Sequence, residues 1–418
     1  MRPNGKIPVQ PWMTAAPTAR VLDALARGRV VARFVGGSVR NALLGVAIDD
    51  IDLAVACKPD DTLRLLIGAG IRAIPTGIEH GTVTAVADGR HFEITSLRRD
   101  AETFGRKARV EYTDDWREDA ARRDFTVNAM FADADGSLYD YFGGRDDLGS
   151  GRIRFVGEPA ERIKEDVLRI LRYFRFHAWY GRPPLEPKSF KACVAGAPAM
   201  ARLSGERVQK EMRRLLEAPD PVPTLALMAD RKILEHWLPE LGPLRALAAL
   251  VALERERGEA DPWRRLAASL QPGSRIAPLA QRWRLSNAVA ERLQSMVDAD
   301  PPIDAQATPQ QRRQLLYRLG DELYADRVLL AWAHALAGAG SGGDSTGGFG
   351  AALQLARDWP APSFPLSGAD VVGAGVPPGP RIGALLRAVE NWWIAGDFAA
   401  DRAACLVELR RRVKEAMA

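Results

Sequence analysis

Two aspartates separated by one residue are the first candidates for chemistry in this 418-residue chain. Asp50 directly precedes residues 51–55, and Asp52 is the second residue of that run, which is otherwise apolar and predicts a buried strand. Because side chains two apart on a strand point to the same face, we expect the two carboxylates side by side. Hard oxygen ligands of this kind, next to a bound phosphate, suit Mg²⁺. The pair therefore indicates metal-dependent phosphoryl or nucleotidyl transfer.

A glycine turn precedes the aspartates, and it consists of Gly36, Gly37 and Ser38. Residues 30–35 before it predict a buried strand, and residues 39–44 after it, with Arg40 among them, predict a short helix. Glycines let the backbone approach a ligand closely, and the free amides of a helix N-terminus favour an anion. Each motif alone is commonly a plain turn or an acidic surface. Their order, strand, turn, helix and acidic strand, predicts a phosphate-binding catalytic site.

The strands that must position these residues continue along the chain. A helix is predicted up to Gly68, followed by strands at 71–74, 82–87 and 90–97, and a β-like stretch at 138–142. Five strands with two helices predict a small mixed sheet. Glu93 becomes a third carboxylate facing the metals if its strand lies beside that of Asp52; an ordinary surface glutamate is the alternative. Residues 98–116 are polar without apolar periodicity and predict a mobile loop.

A cluster of arginines follows at residues 118–130. Arg122 and Arg123 can neutralise a triphosphate, Asp124 can orient one of them, and Asn128 can hydrogen-bond a ribose or the backbone. An exposed helix start with an internal ion pair would explain these residues equally well without their neighbours.

A strongly helical run at residues 160–180 carries more candidates. Asp166 and Arg169 are three apart, hence neighbours on one helix face. An aspartate paired with an arginine offers the acceptor and the donors that reading a Watson–Crick edge requires. Arg172 and Arg175 continue in three-residue steps that drift by about 60° around the helix, so we expect them to reach phosphates. By spacing alone, an internal salt bridge on a basic helix is favoured over a nucleotide site.

Charge is concentrated in one segment. The chain has a formal net charge of +5, whereas residues 151–218 contain 15 Lys and Arg against 8 Asp and Glu, a net of +7. Such a segment is typical of proteins that handle nucleic acid or polyphosphate, although a solvated helical face would also account for it.

Composition limits the class of protein. A hydrophobic content of 47% and a charged content of 27% exclude a disordered chain. The three cysteines are far apart in the chain and predict neither a disulfide framework nor a zinc site. Residues 1–18 lack the continuous apolar run of a signal peptide, and no apolar stretch is long enough to span a membrane. We expect a cytoplasmic protein with a short flexible leader. Residues 186–418 have helical periodicity between Pro- and Gly-rich breaks and predict an all-α half.

These motifs, in this order, resemble the DNA polymerase β nucleotidyltransferase superfamily, within it the tRNA nucleotidyltransferase and poly(A) polymerase branch. The resemblance rests on residues 34–45, Asp50 to Asp52, the run Arg-Arg-Asp-Phe-Thr-Val-Asn-Ala at 122–129, and Glu165-Asp166 with Arg169. It implies an α+β fold, a polymerase-β-like nucleotidyltransferase mixed sheet with helices, followed by an elongated all-α half. It also implies five segments: leader and start of the first helix 1–24, catalytic head 25–150, nucleotide-selecting and RNA-binding neck 151–218, helical body 219–340, and tRNA-binding tail 341–418.

The resemblance also implies roles for individual residues. Asp50, Asp52 and Glu93 would be catalytic, with Asp50 and Asp52 holding Mg²⁺. The nucleotide would be bound by Gly36, Gly37, Ser38, Arg40, Arg123, Asn128, Asp166, Arg169, Arg172 and Arg175. Asn41 departs from the family pattern, in which many members have Asp at that position.

The function that the resemblance implies is template-independent addition of CCA to the 3′ end of tRNA from CTP and ATP, with release of pyrophosphate. The expected partners are the acceptor end of tRNA and the two nucleotides, with no membrane and no obligate protein partner. A poly(A) polymerase, an enzyme that adds only CC or only A, and a non-catalytic RNA-binding protein on the same scaffold remain the alternatives.

Overall fold

The computed structural model describes residues 2–48, 50–104, 107–338 and 347–417. Contacts between residues divide the chain into two compact units. The first comprises Met1–Pro239 with Arg282–Arg284, and the second comprises Glu240–Gln281 with Leu285–Ala418. All of the predicted site residues belong to the first unit.

The strands of the first unit are β1 (Gly5–Lys6), β2 (Ala32–Val35), β3 (Ile51–Val55), β4 (Arg72–Gly77), β5 (Thr82–Ala87), β6 (Arg90–Ser96), β7 (Arg98–Phe104), β8 (Lys107–Tyr112), β9 (Met130–Ala132) and β10 (Ser137–Asp140). Within the described residues, eight of them form one sheet in the order β1-β10-β9-β2-β3-β6-β5-β4, and β7 pairs with β8 alone. Strands β3 and β6 are parallel, whereas the other neighbours are antiparallel. The predicted mixed sheet is confirmed.

The described part of the first unit also contains eleven helices. They are α1 (Pro11–Thr14), α2 (Ala16–Arg27), α3 (Gly37–Leu44), α4 (Pro59–Gly68), α5 (Trp116–Ala121), α6 (Gly144–Ser150), α7 (Pro159–Glu165), α8 (Arg169–Tyr180), α9 (Pro187–Gly196), α10 (Gly205–Leu216) and α11 (Val222–Asp230), with short 3₁₀ turns at Ile78–His80, Thr126–Asn128 and Ala197–Arg202. Of these helices, α2, α3 and α4 contact the large sheet.

Strand β3 shows how the sequence places the first candidate residues. Ile51, Leu53 and Val55 are fully buried in the sheet, so the intervening Asp52 must face the opposite side. Asp50 lies in the bend just before the strand rather than on it. The parallel pairing of β3 with β6 sets Asp52 directly opposite Glu93. The sheet therefore brings Asp52 and Glu93 together from two separate segments, and Asp50 precedes Asp52 by two residues.

An aromatic cluster packs helix α8 against the segments that contain Phe125 and Phe155. The Phe125 ring lies 4.8 Å from Phe155 and 5.2 Å from Phe176, and the Tyr173 ring stacks on Phe155 at 5.9 Å. Phe125, Phe155 and Tyr173 are fully buried. Because Phe125 follows the Arg122-Arg123-Asp124 run directly, this packing determines where those three side chains lie relative to α8.

The second unit is built from helices: α12 (Arg245–Arg257), α13 (Pro262–Ser269), α14 (Ile276–Trp283), α15 (Asn287–Asp298), α16 (Pro309–Leu319), α17 (Asp321–Gly338), α18 (Gly347–Asp358), α19 (Gly368–Gly373), α20 (Pro380–Ala395) and α21 (Arg402–Met417). The predicted α+β class with a helical second half is confirmed. In the described ranges, no helix combines the length and the apolar character needed to cross a membrane.

Three local predictions are wrong. Residues 98–104 and 107–112 form the paired strands β7 and β8 rather than a loop; the run Lys-Ala-Arg-Val-Glu-Tyr at 107–112 alternates charged with apolar residues, a strand pattern that the prediction overlooked. The leader is not simply flexible, because β1 pairs with β10 and Ile7 is buried. The run at 160–180 is two helices, because Asp166 adopts an extended backbone (φ −150°, ψ 106°) between α7 and α8.

Candidate functional site

A polar cavity of about 520 Å³ gathers most of the predicted residues. Its lining consists of Gly36, Gly37, Arg40, Asp52, Arg122, Arg123, Asp124, Asn128, Asp166, Leu168, Arg169, Arg172, Arg175, Phe176, Arg207 and Arg214. Ten of the thirteen predicted site residues are among them. The other three, Asp50, Glu93 and Ser38, lie next to Asp52 but outside the lining.

The glycine turn forms the floor beside Asp52. Gly36 has φ +62°, a backbone conformation that residues with a side chain rarely adopt. A Cβ on Gly37 would stand 3.4 Å from Asp52 Oδ2 and 3.7 Å from Arg40 Nη2, so glycine keeps this space open. The Ser38 hydroxyl oxygen accepts a hydrogen bond from the Asp52 backbone N–H at 2.9 Å. Ser38 thus holds the turn against β3 rather than facing the cavity.

The carboxylates around Asp52 repel one another. Burial raises the pKa of Asp52 to about 6, and the negative charges of Glu93 and Asp50 add to that rise against the opposing effect of Arg123 and Arg40. Crowded oxygen donors that raise a carboxyl pKa are the environment that a divalent cation relieves. Among the described residues, no group of three or more His, Cys, Asp or Glu side chains is arranged to hold a metal by itself. The fit therefore rests on Asp50 and Asp52, with Glu93 as a neighbour.

Arg40 is nearly enclosed by the site. Its Nη1 donates to Asn128 Oδ1 at 2.5 Å and its Nη2 to Asn41 Oδ1 at 3.1 Å, and its guanidinium lies 4.6 Å from the centre of the Tyr180 ring. Burial lowers the pKa of Arg40, although Tyr180, Asp124 and Asp52 oppose that effect. The buried Nε has no hydrogen-bond partner among the described residues. Asn128 and Asn41 thus hold the two Nη atoms and orient this cation beside Asp52.

Asp119 orients both neighbouring arginines. Its Oδ1 accepts from Arg122 Nε at 2.8 Å and its Oδ2 accepts from Arg123 Nε and Nη2 at 3.1 and 2.8 Å. Burial lowers the pKa of Arg122 to about 10, so this side chain is still protonated at neutral pH. The prediction that Asp124 orients one of these arginines is wrong, because Asp119, one helical turn earlier, faces them instead.

Asp124 instead holds Asn128 and Arg172. Its Oδ1 accepts from Asn128 Nδ2 at 3.1 Å, and its Oδ2 accepts from Arg172 Nε at 2.7 Å. Glu211 on α10 accepts from Arg175 Nε at 2.5 Å and lies 3.5 Å from Arg172 Nη1. Burial alone would lower the pKa of Arg172, but the carboxylates of Asp124 and Glu211 raise it. A chain of ion pairs thus connects Asp124, through Arg172, to Glu211 on α10.

Asp166 and Arg169 do not pair with each other as predicted. Asp166 Oδ2 accepts from Arg207 Nη2 at 2.6 Å, and its Oδ1 accepts from the Leu168 backbone N–H at 3.1 Å. Arg169 Nη1 donates to Glu165 and to the Arg162 carbonyl oxygen, the latter at 2.8 Å. The helix break at Asp166 causes this difference, because an aspartate that bonds the backbone two residues on leaves the helical path. Both side chains still line the cavity, each held by a different outer partner.

Sequence reasoning missed two arginines of the cavity, Arg207 and Arg214, and the carboxylate Glu211. They stand at positions i, i+7 and i+4 of α10, so they share one face of that helix. This stripe was the available signal, although charged stripes on helices usually face solvent. The lining of the cavity contains eight arginines and three aspartates, and the carboxylates of Asp119, Glu165 and Glu211 are hydrogen-bonded to four of these arginines from outside it. A polar, cationic cavity with a carboxylate at its floor can bind a polyphosphate and hold a metal beside it.

Two family models match the chain. The model described as "Poly A polymerase head domain" matches residues 32–154, and the model described as "Probable RNA and SrmB- binding site of polymerase A" matches residues 184–244. The first match contains the glycine turn, the carboxylates and the arginine run of the cavity.

Curated relatives and a solved structure extend the similarity over nearly the whole chain. The human "CCA tRNA nucleotidyltransferase 1, mitochondrial" is 33% identical over 378 residues, covering 86% of this chain and 82% of that protein. The "CCA-adding enzyme" of Limosilactobacillus fermentum is 32% identical over 397 residues, covering 92% and 94%. The Bacillus stearothermophilus CCA-adding enzyme in complex with CTP superposes with a TM-score of 0.72 at 25% identity, covering 97% of this chain and 100% of that one.

Proposed function

Because the chain belongs to the CCA-adding tRNA nucleotidyltransferase family, we propose that it adds C, C and A to the 3′ end of tRNA, using CTP and ATP. In each step, the terminal 3′-hydroxyl oxygen of the RNA forms a bond to the α-phosphorus of the nucleotide. The bond from that phosphorus to the bridging oxygen breaks, and pyrophosphate leaves. The cationic cavity floored by Asp52 and the glycine turn is the observation that carries this proposal.

The triphosphate would lie along the glycine turn. The open space above Gly37 and the N-terminus of α3 admit phosphate oxygens close to the backbone. Arg40 and Arg123 would offset the charge of the triphosphate and of the departing pyrophosphate. Since both arginines are already held by Asn128 and Asp119, they need little reorganisation when the nucleotide binds.

We propose Mg²⁺ as the metal, with Asp50 and Asp52 as its protein ligands and Glu93 as a nearby carboxylate. When bound, it would lower the pKa of the attacking hydroxyl and stabilise negative charge on the leaving group. Asp52 itself would orient the RNA end relative to the glycine turn, because β3 and Ser38 fix its backbone. Glu93, which stands opposite Asp52 on the adjacent parallel strand, would maintain the negative field that draws the cation in.

Base selection would fall to Asp166 and Arg169. Cytosine and adenine both present an amino donor and a ring-nitrogen acceptor on the Watson–Crick edge, and a carboxylate and a guanidinium are complementary to this pair. Asn128, whose amide is held by Arg40 and Asp124, would take part in binding the nucleotide, and Arg172 and Arg175 would add positive charge at the cavity wall. We propose that head 25–150 carries catalysis, that neck 151–218 selects nucleotides and binds RNA, that 219–340 forms a helical body, and that tail 341–418 binds tRNA.

The RNA itself would be bound by shape and backbone, since the deep groove of an A-form stem hides its base edges. The excess of basic residues in segment 151–218 supports phosphate contacts there. We also propose a cytoplasmic location, which is supported by the free state of Cys57, Cys193 and Cys405.

Single-nucleotide incorporation tests the proposal. Each labelled NTP, with Mg²⁺, is offered to tRNAs that end before CCA, after the first C and after CC, and products are read by length. We expect two C, then one A, then arrest, with Asp52→Asn as the inactive control. An unlimited ladder of A would indicate a poly(A) polymerase, and arrest after CC or addition of A alone a partial enzyme. Absence of any addition would favour a non-catalytic RNA-binding protein.

A further inference from the structure

We propose that Arg207 is a positioning residue for Asp166 and thereby a determinant of nucleotide choice, an inference that rests on the proposed function. Arg207 lies on α10, forty-one residues beyond Asp166, and its Nη2 donates to Asp166 Oδ2 at 2.6 Å. Both side chains line the nucleotide cavity.

The two oxygens of Asp166 are each held by one partner from a different direction. Arg207 holds Oδ2, and the Leu168 backbone N–H holds Oδ1 at 3.1 Å. Two contacts on opposite oxygens fix the plane of the carboxylate, whereas the backbone contact alone leaves it free to rotate. Each oxygen has a further lone pair, and about a third of the side chain is exposed, so a ligand's amino group can reach it.

A fixed acceptor matters because the nucleotides differ at that point of the base. Cytosine and adenine carry an amino group where uracil and guanine carry a carbonyl oxygen. A carboxylate held in place accepts from the amino group and repels the carbonyl, and that repulsion carries the discrimination. If the carboxylate can turn away, the repulsion is relieved and the wrong base is tolerated. Loss of Arg207 therefore weakens rejection of UTP and GTP more than it weakens binding of CTP and ATP.

Arg207 also borders a second cavity of about 640 Å³, which shares Asp166 with the first and is further lined by Lys164, Arg202 and Ser204. A direct grip on a phosphate is therefore the competing role for this arginine. The two roles differ in their effect. A phosphate contact serves all four nucleotides alike and weakens with salt, whereas positioning of Asp166 acts only on the choice of base.

The test compares Arg207→Gln and Arg207→Lys with Arg20→Gln. Arg20 is a matched control, since it lies in the same unit, forms a 2.8 Å ion pair with Asp88 and does not line the cavity. The ratio of kcat/KM for CTP and ATP to that for UTP and GTP is measured on the tRNAs described above. We expect the ratio to fall about tenfold in Arg207→Gln, the scale of one coupled contact, with partial recovery in Arg207→Lys and no change in Arg20→Gln.

A double-mutant cycle identifies the route of the effect. In an Asp166→Asn background, Arg207→Gln should change the ratio no further, because the group that it positions has gone. An equal loss for all four nucleotides, or independent effects of the two substitutions, would overturn the inference. If Arg207→Gln does not fold, Arg207→Lys carries the test alone, and an unchanged ratio there with a salt-sensitive KM also overturns it. Wild-type protein that adds neither C nor A to tRNA would refute the proposed function instead.

Discussion

Among the clusters of arginines and carboxylates in the described residues, two of the most buried can be compared, one in each unit. In the second unit, Glu254 accepts from Arg264 Nε at 2.8 Å and from Arg265 Nε at 2.5 Å, and Asp326 accepts from Arg264 and Arg292 at 2.9 and 2.8 Å. Except for Arg292, these side chains are almost completely buried. We call this set, with Asp261, the buried network; it contains three arginines and three carboxylates.

The polar cavity of the first unit contains the same residue types in a different ratio. Its lining contains eight arginines and three aspartates, and Asp119, Glu165 and Glu211 pair with these arginines from outside the lining, which leaves two more arginines than carboxylates. Arg40 Nε has no hydrogen-bond partner among the described residues. A cluster with equal numbers of arginines and carboxylates is neutral and can serve as a structural element. A cluster with more arginines than carboxylates keeps a positive charge, which an anionic ligand can neutralise. Residue type and burial therefore do not separate a structural cluster from a functional one, and the balance of charge does.

Removal of the Asp52 carboxylate at the floor of the cavity is the strongest test of this difference between the two clusters. Asp52→Asn should lower the rate of nucleotide addition about ten-thousandfold, equal to about 5.5 kcal/mol of transition-state stabilisation, because a ligand of the proposed Mg²⁺ is lost. The fold should persist, since Asn has nearly the same shape and the backbone N–H of this residue still reaches Ser38. Single-turnover addition of one C and circular dichroism measure the two quantities. Near-normal turnover would refute the metal assignment.

The reverse result is expected in the buried network. Glu254→Gln removes the negative charge that faces both Arg264 and Arg265 in a site closed to water, so the free energy of unfolding should fall by about 3 kcal/mol. The affinity for CTP should not change, because Glu254 does not line the cavity. Urea denaturation and nucleotide titration give both values.

Arg357→Gln is the matched control for that measurement. It breaks a 2.9 Å ion pair with Glu259 in the same unit, but both side chains are more than half exposed. We expect a change below about 1 kcal/mol. If Glu254→Gln behaved like this control, the buried network would not stabilise the fold in the way that its burial indicates.

A smaller effect is expected when one cation of the surplus is removed. Arg123→Gln should weaken CTP binding about tenfold, about 1.4 kcal/mol, because one charged contact to the triphosphate disappears. Arg122 still holds Asp119, so the local fold is kept. Equilibrium titration at two salt concentrations should show a shallower salt dependence than in the wild type. Arg20→Gln, which removes the same charge elsewhere, should leave both quantities unchanged.

The local parts of the site could be predicted from the sequence. Strands β3 and β5 have the predicted bounds, because apolar alternation and glycine turns are local signals. The glycine turn and Asp52 meet for the same reason, since only a short helix separates them in the chain.

The contacts that could not be predicted join distant segments. Arg207 reaches Asp166 across forty-one residues, and Asp124 reaches Arg172 across forty-eight. Helical periodicity through 160–180 gave no sign of the break at Asp166, because that break depends on a side-chain bond to the backbone. Sequence patterns thus predicted ten of the residues that line the cavity, whereas the partner of each charged side chain depended on tertiary packing.

The smallest expected effect is on the pH at which the protein unfolds in acid. It tests whether Arg123, a cavity arginine, also stabilises the fold. Burial raises the pKa of Asp119, but the attraction of Arg123 and Arg122 and their hydrogen bonds outweigh it and leave that pKa lowered. A carboxyl group with a lowered folded pKa contributes stability that is present above its unfolded pKa, about 3.9, and is lost as pH falls through the folded value.

In Arg123→Gln the pKa of Asp119 in the folded protein should move upward, toward its unfolded value, because one of the two attracting cations has gone. Acid unfolding should then begin at a higher pH than in the wild type, whereas Arg20→Gln should follow the wild-type curve. Circular dichroism recorded from pH 7 down to pH 2 compares the three proteins. Coincident curves for Arg123→Gln and the wild type would mean that Arg122 alone satisfies Asp119. Arg123 would then contribute to nucleotide binding and not to the stability of the fold, whereas Arg122 would provide the ion pair that stabilises Asp119.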